Sequence, residues 1–308
     1  MKNDDAEARA DENIEEMMKH LVKDPLKLLA VEQPDVLKIH SVYQENPGFN
    51  TILFEKEINA KPGQFVNVWI PGIDEKPISI SFVDRENRLF GITVFETGRC
   101  SRILCSMKKG GMLGIRGPYG NPFTISKKMK RIALVGGGCG AAPLSFLADC
   151  AIAEGIEVYF IVGAKTKDKL LYIDRMKKRG AYVLAATEDG SMGAKGFTTD
   201  VLRQLLNTDK VDMIYACGPE IMMQKVIGIA DEHNLPCQIS MERYMKCGLG
   251  VCGQCACDDR LVCKDGPAFE KEEVKTMGDF GKYARLKTGK KVGLKEYYTH
   301  GLNKQTAQ

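Results

Sequence analysis

Short apolar segments follow one another between residues 36 and 127. Five of them are bounded by Gly, Pro, Asn or Asp, which are residues typical of turns; they cover 36–43, 50–55, 64–70, 78–83 and 89–95. Their alternating or continuous apolar character, rich in Val, Ile, Phe and Thr, is that of β-strands. Several short strands at this spacing predict a closed antiparallel β-barrel over residues 36–127.

Near residue 130 the pattern changes, because apolar strands begin to alternate with helices. A strand over 131–135 runs into a glycine turn, and 143–154 has helical character. Further apolar strands are predicted at 158–163, 181–186 and 213–218. Strands that alternate with helices predict a doubly wound parallel sheet covered on both faces, over residues 128–239.

Three further segments complete the predicted organisation. Residues 1–35 form an N-terminal helical extension, in which 4–23 is amphipathic and Pro25 ends the pattern. This helix either packs on its own chain or docks another subunit. Residues 240–270 hold five closely spaced cysteines and are predicted to form a [2Fe–2S] cluster domain, and residues 271–308 are interpreted as a basic, polar C-terminal tail.

Composition excludes several classes of protein. The 308 residues allow two domains plus an appendage, and 44% hydrophobic with 27% charged residues is ordinary for a globular protein. A net charge of +4, evenly spread, does not indicate nucleic acid binding. No apolar run approaches the ~20 residues of a membrane span. The clustering of the eleven cysteines favours metal ligation in a reducing cytoplasm over a disulfide scaffold.

The most specific motif lies at 247–263, where four cysteines are spaced C-x4-C-x2-C-x7-C. The first intervals are those of the plant-type [2Fe–2S] loop. Glycines at 248, 250 and 253 supply positive φ values and let backbone N–H groups approach sulfur. A structural zinc site, which more usually has two CxxC pairs, and unligated buried cysteines are the alternatives. The spacing leaves the role of Cys257 open.

Two motifs in the α/β segment favour a dinucleotide. The glycine turn at 136–143 opens a helix, where backbone N–H groups suit a pyrophosphate, although such turns also occur without ligands. Residues 217–219, Cys-Gly-Pro, end a later strand at the sheet edge where open α/β sheets bind ligands. There Cys217 lies against a nicotinamide ring, or is simply a small core residue.

Three weaker motifs lie in the barrel segment. Residues 76–79 combine a lysine with a serine, 98–101 open a short helix, and 117–120 form a turn that carries a tyrosine. A cation and a helix N-terminus together suit a second pyrophosphate. Taken singly, each of these motifs is more often structural than functional.

The order of the motifs resembles that of the ferredoxin–NADP reductase superfamily, and within it the electron-transfer subunits of cytosolic dihydroorotate dehydrogenases. The resemblance covers 36–270 and implies a flavin-binding barrel, a nicotinamide-binding domain and a [2Fe–2S] loop, with FAD, NAD and the cluster as cofactors. The site residues that it implies are Lys76, Pro77, Ile78, Ser79, Gly98, Arg99, Cys100 and Ser101 for FAD; Gly136, Gly137, Gly138, Gly140, Gly218 and Pro219 for the dinucleotide, with Cys217 catalytic; and Cys247, Cys252, Cys255 and Cys263 for the cluster.

Some positions depart from the family pattern. Lys76 stands where the family usually has arginine, which keeps the charge but loses bidentate phosphate geometry. The last interval of the cysteine motif is short for the group. Lys165 and Lys167 follow the second predicted strand and could meet a 2′-phosphate, whereas the resemblance favours NAD over NADP.

The implied function is electron transfer between NAD(H) and a partner protein. This chain has no candidate group for orotate chemistry, and the resemblance assigns that step to a separate FMN-containing catalytic subunit in a two-plus-two heterotetramer of pyrimidine biosynthesis. One alternative is the NADH-side subunit of an electron-bifurcating ferredoxin:NADP transhydrogenase or sulfide dehydrogenase. Another is a non-enzymatic redox sensor.

Overall fold

A computed structural model describes residues 33–303, with side chains described as far as residue 299. The predicted N-terminal helix over 4–23 lies outside the described residues. In the part that is described, a barrel comes first, a sheet flanked by helices second, and the cysteine loop with a C-terminal segment last. None of the described helices is both long and apolar enough to cross a bilayer.

The first domain is the predicted closed antiparallel barrel. Its strands lie in the order β1-β2-β5-β4-β3-β6; they are β1 (Asp35–Asn46), β2 (Phe49–Glu55), β3 (Phe65–Ile70), β4 (Asp74–Asp84), β5 (Leu89–Phe95) and β6 (Met112–Tyr119). Helix α1 (Arg99–Ser106) connects β5 to β6. The barrel is filled by alternate apolar side chains such as Phe54 and Phe90, which are fully buried.

The second domain is the predicted parallel sheet. Six strands lie in the order β10-β9-β8-β7-β11-β12; they are β7 (Arg131–Gly137), β8 (Glu157–Ala164), β9 (Tyr182–Thr187), β10 (Ala194–Lys195), β11 (Met213–Cys217) and β12 (Cys237–Ser240). All the pairings between them are parallel. Residues 132–135 of β7 are completely buried, because helices cover both faces of the sheet.

Four helices cover this sheet, two on each face. Helices α2 (Ala141–Ala153) and α3 (Ile173–Arg179) pack with Leu134 and Tyr215 on one face. Helices α4 (Thr198–Thr208) and α5 (Glu220–Glu232) pack with Ile161 and Ile214 on the other. This arrangement confirms the doubly wound topology predicted from the alternation of strands and helices.

Buried polar contacts fix the barrel against the second domain. Ser145 Oγ of α2 donates a hydrogen bond of 2.8 Å to the carbonyl oxygen of Ser81 in β4. The hydroxyl of Tyr172, just before α3, is hydrogen-bonded to Thr93 of β5. The Arg175 guanidinium lies 5.0 Å from the centre of the Tyr172 ring. The carboxyl ends of the parallel strands therefore keep a defined position relative to the barrel.

The cysteine loop lies in the chain between two strands that are neighbours at one side of the sheet. After β12 the chain forms β13 (Ala256–Cys257), β14 (Arg260–Leu261) and the short helix α6 (Val262–Asp265). It returns to the sheet as β15 (Ala268–Glu270), which pairs antiparallel with β12. Both ends of the loop are therefore anchored, and the end of the predicted 240–270 domain is part of the sheet.

The segment interpreted as a polar tail is folded as far as it is described. It forms α7 (Lys271–Thr276), β16 (Tyr283–Arg285), β17 (Lys291–Gly293) and α8 (Leu294–Asn303). Val274, Met277 and Phe280 are buried in the core that also contains Cys255 and Cys263. The interpretation of this segment as a tail was wrong. Its buried apolar residues recur every third position over only seven residues, which is too short a pattern to predict a packed element.

Candidate functional site

The cysteine loop directs backbone N–H groups at its own sulfur atoms. The Leu249 N–H lies 3.4 Å from Cys247 Sγ, and the Gly250 N–H lies 3.2 Å from Cys263 Sγ. The Cys263 N–H lies 3.4 Å from Cys255 Sγ. The chain can curl in this way because three glycines adopt positive φ; they are Gly248 at 76°, Gly250 at 77° and Gly253 at 66°.

These contacts favour the thiolate form that iron ligation requires at Cys247 and Cys255, whereas the hydrogen bond between Cys263 and Cys255 raises the pKa of Cys263. Burial opposes ionisation of Cys247, but hydrogen bonds from backbone N–H groups, that of Cys252 first, outweigh it and lower its pKa to about 6. A hydrogen bond from Cys263 lowers the pKa of Cys255 to about 7. Among residues 33–303, no three His, Cys, Asp or Glu side chains are grouped as for a single metal ion. The thiols instead form two pairs, 247 with 252 and 255 with 263, which suits a two-iron cluster held by four thiolates.

Cys257 belongs to a different set of contacts. Its Sγ accepts a hydrogen bond of 3.5 Å from the guanidinium of Arg243. Arg243 is ion-paired with Glu220, and their side chains are only 1% and 2% exposed. Burial raises the pKa of the Cys257 thiol. We therefore propose the other four cysteines of the loop as the cluster ligands and Cys257 as part of the packed core.

The cysteine loop is also hydrogen-bonded to the outer wall of the barrel. Asn67 Nδ2 in β3 lies 3.3 Å from the carbonyl oxygen of Cys247, and an Arg116 guanidinium nitrogen in β6 lies 3.4 Å from the same oxygen. Asn67 is the register partner of Pro77 in β4. The first cysteine therefore contacts the strand next to residues 76–79, the segment that resembles a flavin motif.

The four glycines of the 136–140 turn have different neighbours. A Cβ atom at Gly140 would lie 2.1 Å from the carbonyl oxygen of Cys217, so this glycine lets α2 begin against the end of β11. A Cβ at Gly136 or Gly137 would lie 3.0 or 2.8 Å from the nearest neighbouring atom. Around Gly138, with φ of 56°, no described atom lies within 4 Å of that position. Gly138 therefore offers the open surface that a pyrophosphate needs.

Glu242, at the start of the cysteine segment, lies beside Cys217 at the end of β11. Cys217 Sγ lies 4.0 Å from Glu242 Oε1, and Cys139 Sγ lies 3.8 Å from the same oxygen. Solvent reaches Glu242, yet the surrounding protein desolvates the carboxyl group and raises its pKa. Burial, and then the charge of Glu242, raise the pKa of Cys217. Cys217 is therefore a neutral thiol, which suits positioning a ring by contact rather than nucleophilic chemistry.

In the barrel, Lys76 lies on β4 with its side chain 22% exposed. Its ammonium pairs with Asp74 and lies 5.4 Å from the centre of the Tyr244 ring. Burial opposes ionisation of Asp74, but hydrogen bonds from Lys76 and from a backbone N–H outweigh it and lower its pKa. Three residues further along β4, Ser79 is the register partner of Phe65.

Helix α1 begins at an open glycine. No described atom lies within 4 Å of a Cβ placed at Gly98. Ser101 Oγ accepts hydrogen bonds from the N–H groups of Thr97 and Gly98, at 2.8 and 2.9 Å. The side chain of Cys100 is buried in the barrel core, so this residue offers a ligand its backbone only. The side chain of Arg99 is exposed.

The structure thus groups the sequence-derived residues into two neighbouring regions. The glycine turn and residues 217–219 meet at the carboxyl ends of β7 and β11, whereas residues 76–79 and the cysteine loop meet at β3. Glu242 and Tyr244 were not among the residues predicted from the sequence. A signal was available for Glu242, because it follows the strand next to β11 at the ligand-binding edge of a parallel sheet.

Two family models match the chain. Residues 242–275 match the iron–sulfur cluster binding domain of dihydroorotate dehydrogenase B, and residues 134–227 match the oxidoreductase NAD-binding domain. The first match begins at Glu242 and contains all five cysteines of the loop. The second match contains the glycine turn and residues 217–219.

Curated relatives match over most of the chain. A probable dihydroorotate dehydrogenase B (NAD(+)), electron transfer subunit from Methanocaldococcus jannaschii is 43% identical over 265 residues, 85% of this chain and 99% of the relative. A protein of the same name from Methanothermobacter thermautotrophicus is 42% identical, over 84% of this chain and 97% of the relative.

Solved structures share the architecture. The structure of an NADH-dependent reduced ferredoxin–NADP oxidoreductase, studied for flavin-based electron bifurcation, has a TM-score of 0.71 at 29% identity and covers 80% of this chain and 94% of that one. Phthalate dioxygenase reductase, at 21% identity and a TM-score of 0.53, covers 64% of each chain and shows the fold alone. The chain is an oxidoreductase that uses FAD, NAD and a [2Fe–2S] cluster. With 43% identity over 85% of its length, it belongs to the dihydroorotate dehydrogenase B electron transfer subunits.

Proposed function

We propose that this chain carries electrons to NAD+ from a separate, FMN-containing subunit, in which dihydroorotate is oxidised. The two subunits form a heterotetramer that serves pyrimidine biosynthesis. The names of the relatives at 42–43% identity support the coupling to dihydroorotate. The absence of a candidate group for orotate chemistry in the sequence supports a separate catalytic partner.

The observation that carries this proposal is the contact between the cysteine loop and the barrel. Asn67 donates a hydrogen bond to the carbonyl oxygen of Cys247. Asn67 is also the register partner of Pro77, in the segment that resembles a flavin-binding motif. The nicotinamide-side residues lie on the same sheet edge that holds the loop, since β12 pairs with β11. These contacts support the proposal that one folded unit brings the dinucleotide, flavin and cluster segments together.

Each segment has a defined task in this proposal. Gly138 leaves room for the dinucleotide pyrophosphate, and Cys217 contacts the nicotinamide ring. Lys76 and the start of α1 hold the flavin phosphates. The loop cysteines hold the cluster. Bound flavin supplies the conversion between two-electron hydride transfer and single-electron transfer, which neither the dinucleotide nor the cluster supplies alone.

The tip of the cysteine loop is the surface that we assign to the partner. Val251 is 83% exposed, and the neighbouring Cys252 is also exposed. We assign this tip to the partner because the proposed cluster ligand Cys252 reaches the protein surface there, so that a second redox centre can approach the cluster. Electrons that reach the loop then leave the chain at its surface.

The test is co-expression with a candidate catalytic subunit. We expect co-elution and NAD+-dependent dihydroorotate oxidation that neither chain shows alone. Val251→Asp should weaken this coupled activity while NADH-driven dye reduction by the isolated chain stays normal. Val36→Asp, at a 53% exposed position on β1, is the matched control and should change neither activity. A chain that oxidises NADH but shows no coupled activity with any such subunit contradicts the proposal.

A second candidate function is the NADH-side subunit of an electron-bifurcating transhydrogenase. It is favoured by the TM-score of 0.71 to the NADH-dependent reduced ferredoxin–NADP oxidoreductase structure. In that case the partner should be a larger flavoprotein, and the assembled complex should reduce NADP+ with NADH and reduced ferredoxin. The same complex should not oxidise dihydroorotate, so a single pair of assays separates the two functions.

A further inference from the structure

We infer that Lys287 and Tyr244 complete the phosphate-binding part of the FAD site, so that two lysines packed beside one tyrosine replace the single arginine usual in the family. Neither residue belongs to the barrel, because Tyr244 lies between β12 and the first loop cysteine and Lys287 lies in the turn between β16 and β17. This inference rests on the proposed assignment of the flavin to residues 76–79 and 98–101.

The three side chains form one compact group. The Lys76 ammonium lies 5.4 Å from the centre of the Tyr244 ring, and the Lys287 ammonium lies 5.5 Å from the same centre. Asp74 binds both ammonium groups, since its Oδ2 pairs with Lys76 and lies 3.9 Å from Lys287 Nζ. One carboxylate therefore orients two cations, and the group keeps a net positive charge of one.

The β16–β17 turn is held in place independently of this group. The Leu286 N–H donates a hydrogen bond of 2.9 Å to the carbonyl oxygen of Lys290, and Gly289, with φ of 88°, forms the turn. Gln254 of the cysteine loop donates a hydrogen bond of 2.6 Å to the carbonyl oxygen of Leu286. Lys287 is therefore presented to the barrel by a fixed hairpin and not by a loose chain end.

The start of α1 lies within electrostatic range of this group. Burial raises the pKa of the Cys100 thiol in the first turn of α1, the charges of Lys76 and Lys287 oppose this rise, and the charge of Asp74 adds to it. The two cations and the open backbone at Gly98 therefore act on the same region.

The chemistry of lysine explains why a second cation is useful here. An arginine binds a diphosphate through a planar, bidentate fork, whereas a lysine is a point charge on a flexible stem. At position 76 the ammonium is also partly neutralised by Asp74. A second ammonium from the hairpin restores charge, and the Tyr244 ring packs beside both lysine side chains.

The experiment measures FAD release from the holoprotein on dilution, followed by flavin fluorescence, for Lys76→Met, Lys287→Met and Lys290→Met. Lys290 is the matched control, because it lies in the same turn with a 69% exposed side chain and pairs with Glu296 instead. We expect the FAD dissociation constant to rise about 10- to 100-fold for Lys76→Met, and about 3- to 10-fold for Lys287→Met since that side chain is 63% exposed. Lys290→Met should match the wild type.

Riboflavin, which has no phosphate, separates charge recognition from distortion of the site. Lys287→Met should leave riboflavin affinity unchanged, and Lys287→Arg should restore FAD affinity. If Lys287→Met retains FAD as well as Lys290→Met does, or weakens riboflavin equally, the inference is wrong while the flavin site itself stands. If the wild type binds no FAD, or Lys76→Met has no effect, the proposed flavin assignment fails instead.

Discussion

Two glycine-rich segments, the 136–140 turn and the 247–255 loop, look alike in sequence but use glycine for different reasons. In the turn, three of the four glycines are required because a Cβ would collide with neighbouring atoms, the closest contact being 2.1 Å at Gly140. In the loop, the glycines are required by backbone conformation, with φ between 66° and 77° at three positions. The turn is therefore limited mainly by packing. The loop is limited first by dihedral angles, and packing adds to this at Gly250 and Gly248, where a Cβ would lie 2.7 Å from Lys264 and 3.0 Å from Asn67.

This difference determines which positions face a ligand. In the turn only Gly138 combines a positive φ with open space, so one glycine out of four is available to a dinucleotide. In the loop the glycines instead aim N–H groups at sulfur, as at Gly250 toward Cys263. The number of glycines in a segment therefore does not identify a ligand-binding site, because the neighbours of each glycine determine its role.

The largest effect expected is loss of the cluster from the loop. Serine at any of the four proposed ligands, Cys247, Cys252, Cys255 and Cys263, should abolish or strongly alter the cluster, because iron in this site is held by thiolate. The cluster content of each variant is measured by iron and sulfide analysis and by visible absorption of the anaerobically purified protein. Cys257→Ser is the control and should retain both irons, since Sγ contacts Arg243. Cluster loss in this control with retention in Cys263→Ser contradicts the ligand set.

The next largest effect should come from Gly140→Ala. The new methyl group would lie 2.1 Å from the Cys217 carbonyl oxygen, which is backbone and cannot rotate away. We expect the free energy of unfolding to fall by about 3 kcal/mol or more, as in severe overpacking. Urea denaturation measures the change. A loss below about 0.5 kcal/mol, the scale of ordinary surface substitutions, would show that α2 shifts easily.

A smaller effect on stability but a large one on activity is expected from Gly138→Val. The positive φ costs about 1–2 kcal/mol, whereas the surrounding space is open. NADH-driven flavin reduction should fail while flavin and iron contents stay normal, because the side chain enters the space assigned to the pyrophosphate. Stopped-flow absorbance measures this reduction. Unimpaired reduction would place the dinucleotide elsewhere.

Cys217→Ala provides the companion measurement on the nicotinamide side. Because the neutral thiol is assigned to positioning the ring, the hydride-transfer rate should fall more than the NADH affinity does. The same stopped-flow traces at varied NADH concentrations separate these two quantities. An equal loss of both would indicate that Cys217 acts through binding alone.

The smallest effect is expected from Gly253→Ala in the cysteine loop. Its φ is 66°, and no described atom lies within 4 Å of the added carbon. Only the conformational cost of about 1–2 kcal/mol should appear in the free energy of unfolding, with the cluster retained. If Gly253→Ala destabilises the protein as much as Gly140→Ala does, the distinction between dihedral and packing glycines does not hold.

Most of the fold could be predicted from the sequence because its signals are local. Five of the six barrel strands and the parallel strands predicted at 131–135 and 213–218 are marked by continuous or alternating apolar residues. Strand β6 was not predicted, and residues 117–120 at its end were interpreted as a turn. Strands β12 and β15 were not predicted, because four and three residues are too short for a periodic pattern. The folded hairpin at 283–293 was missed since its buried residues, such as Ala284 and Val292, are isolated among polar ones.

The sequence by itself determined the class of chemistry, because cysteine spacing, glycine turns and strand periodicity are properties of short segments. Only the tertiary structure decided that Cys257 contacts the Arg243–Glu220 pair, that Glu242 meets Cys139 and Cys217, and that Lys287 reaches Tyr244. The partners in these contacts come from segments up to about a hundred residues apart. Such contacts depend on how β12 and β15 close the sheet around the cysteine loop, and no local pattern of residues encodes that closure.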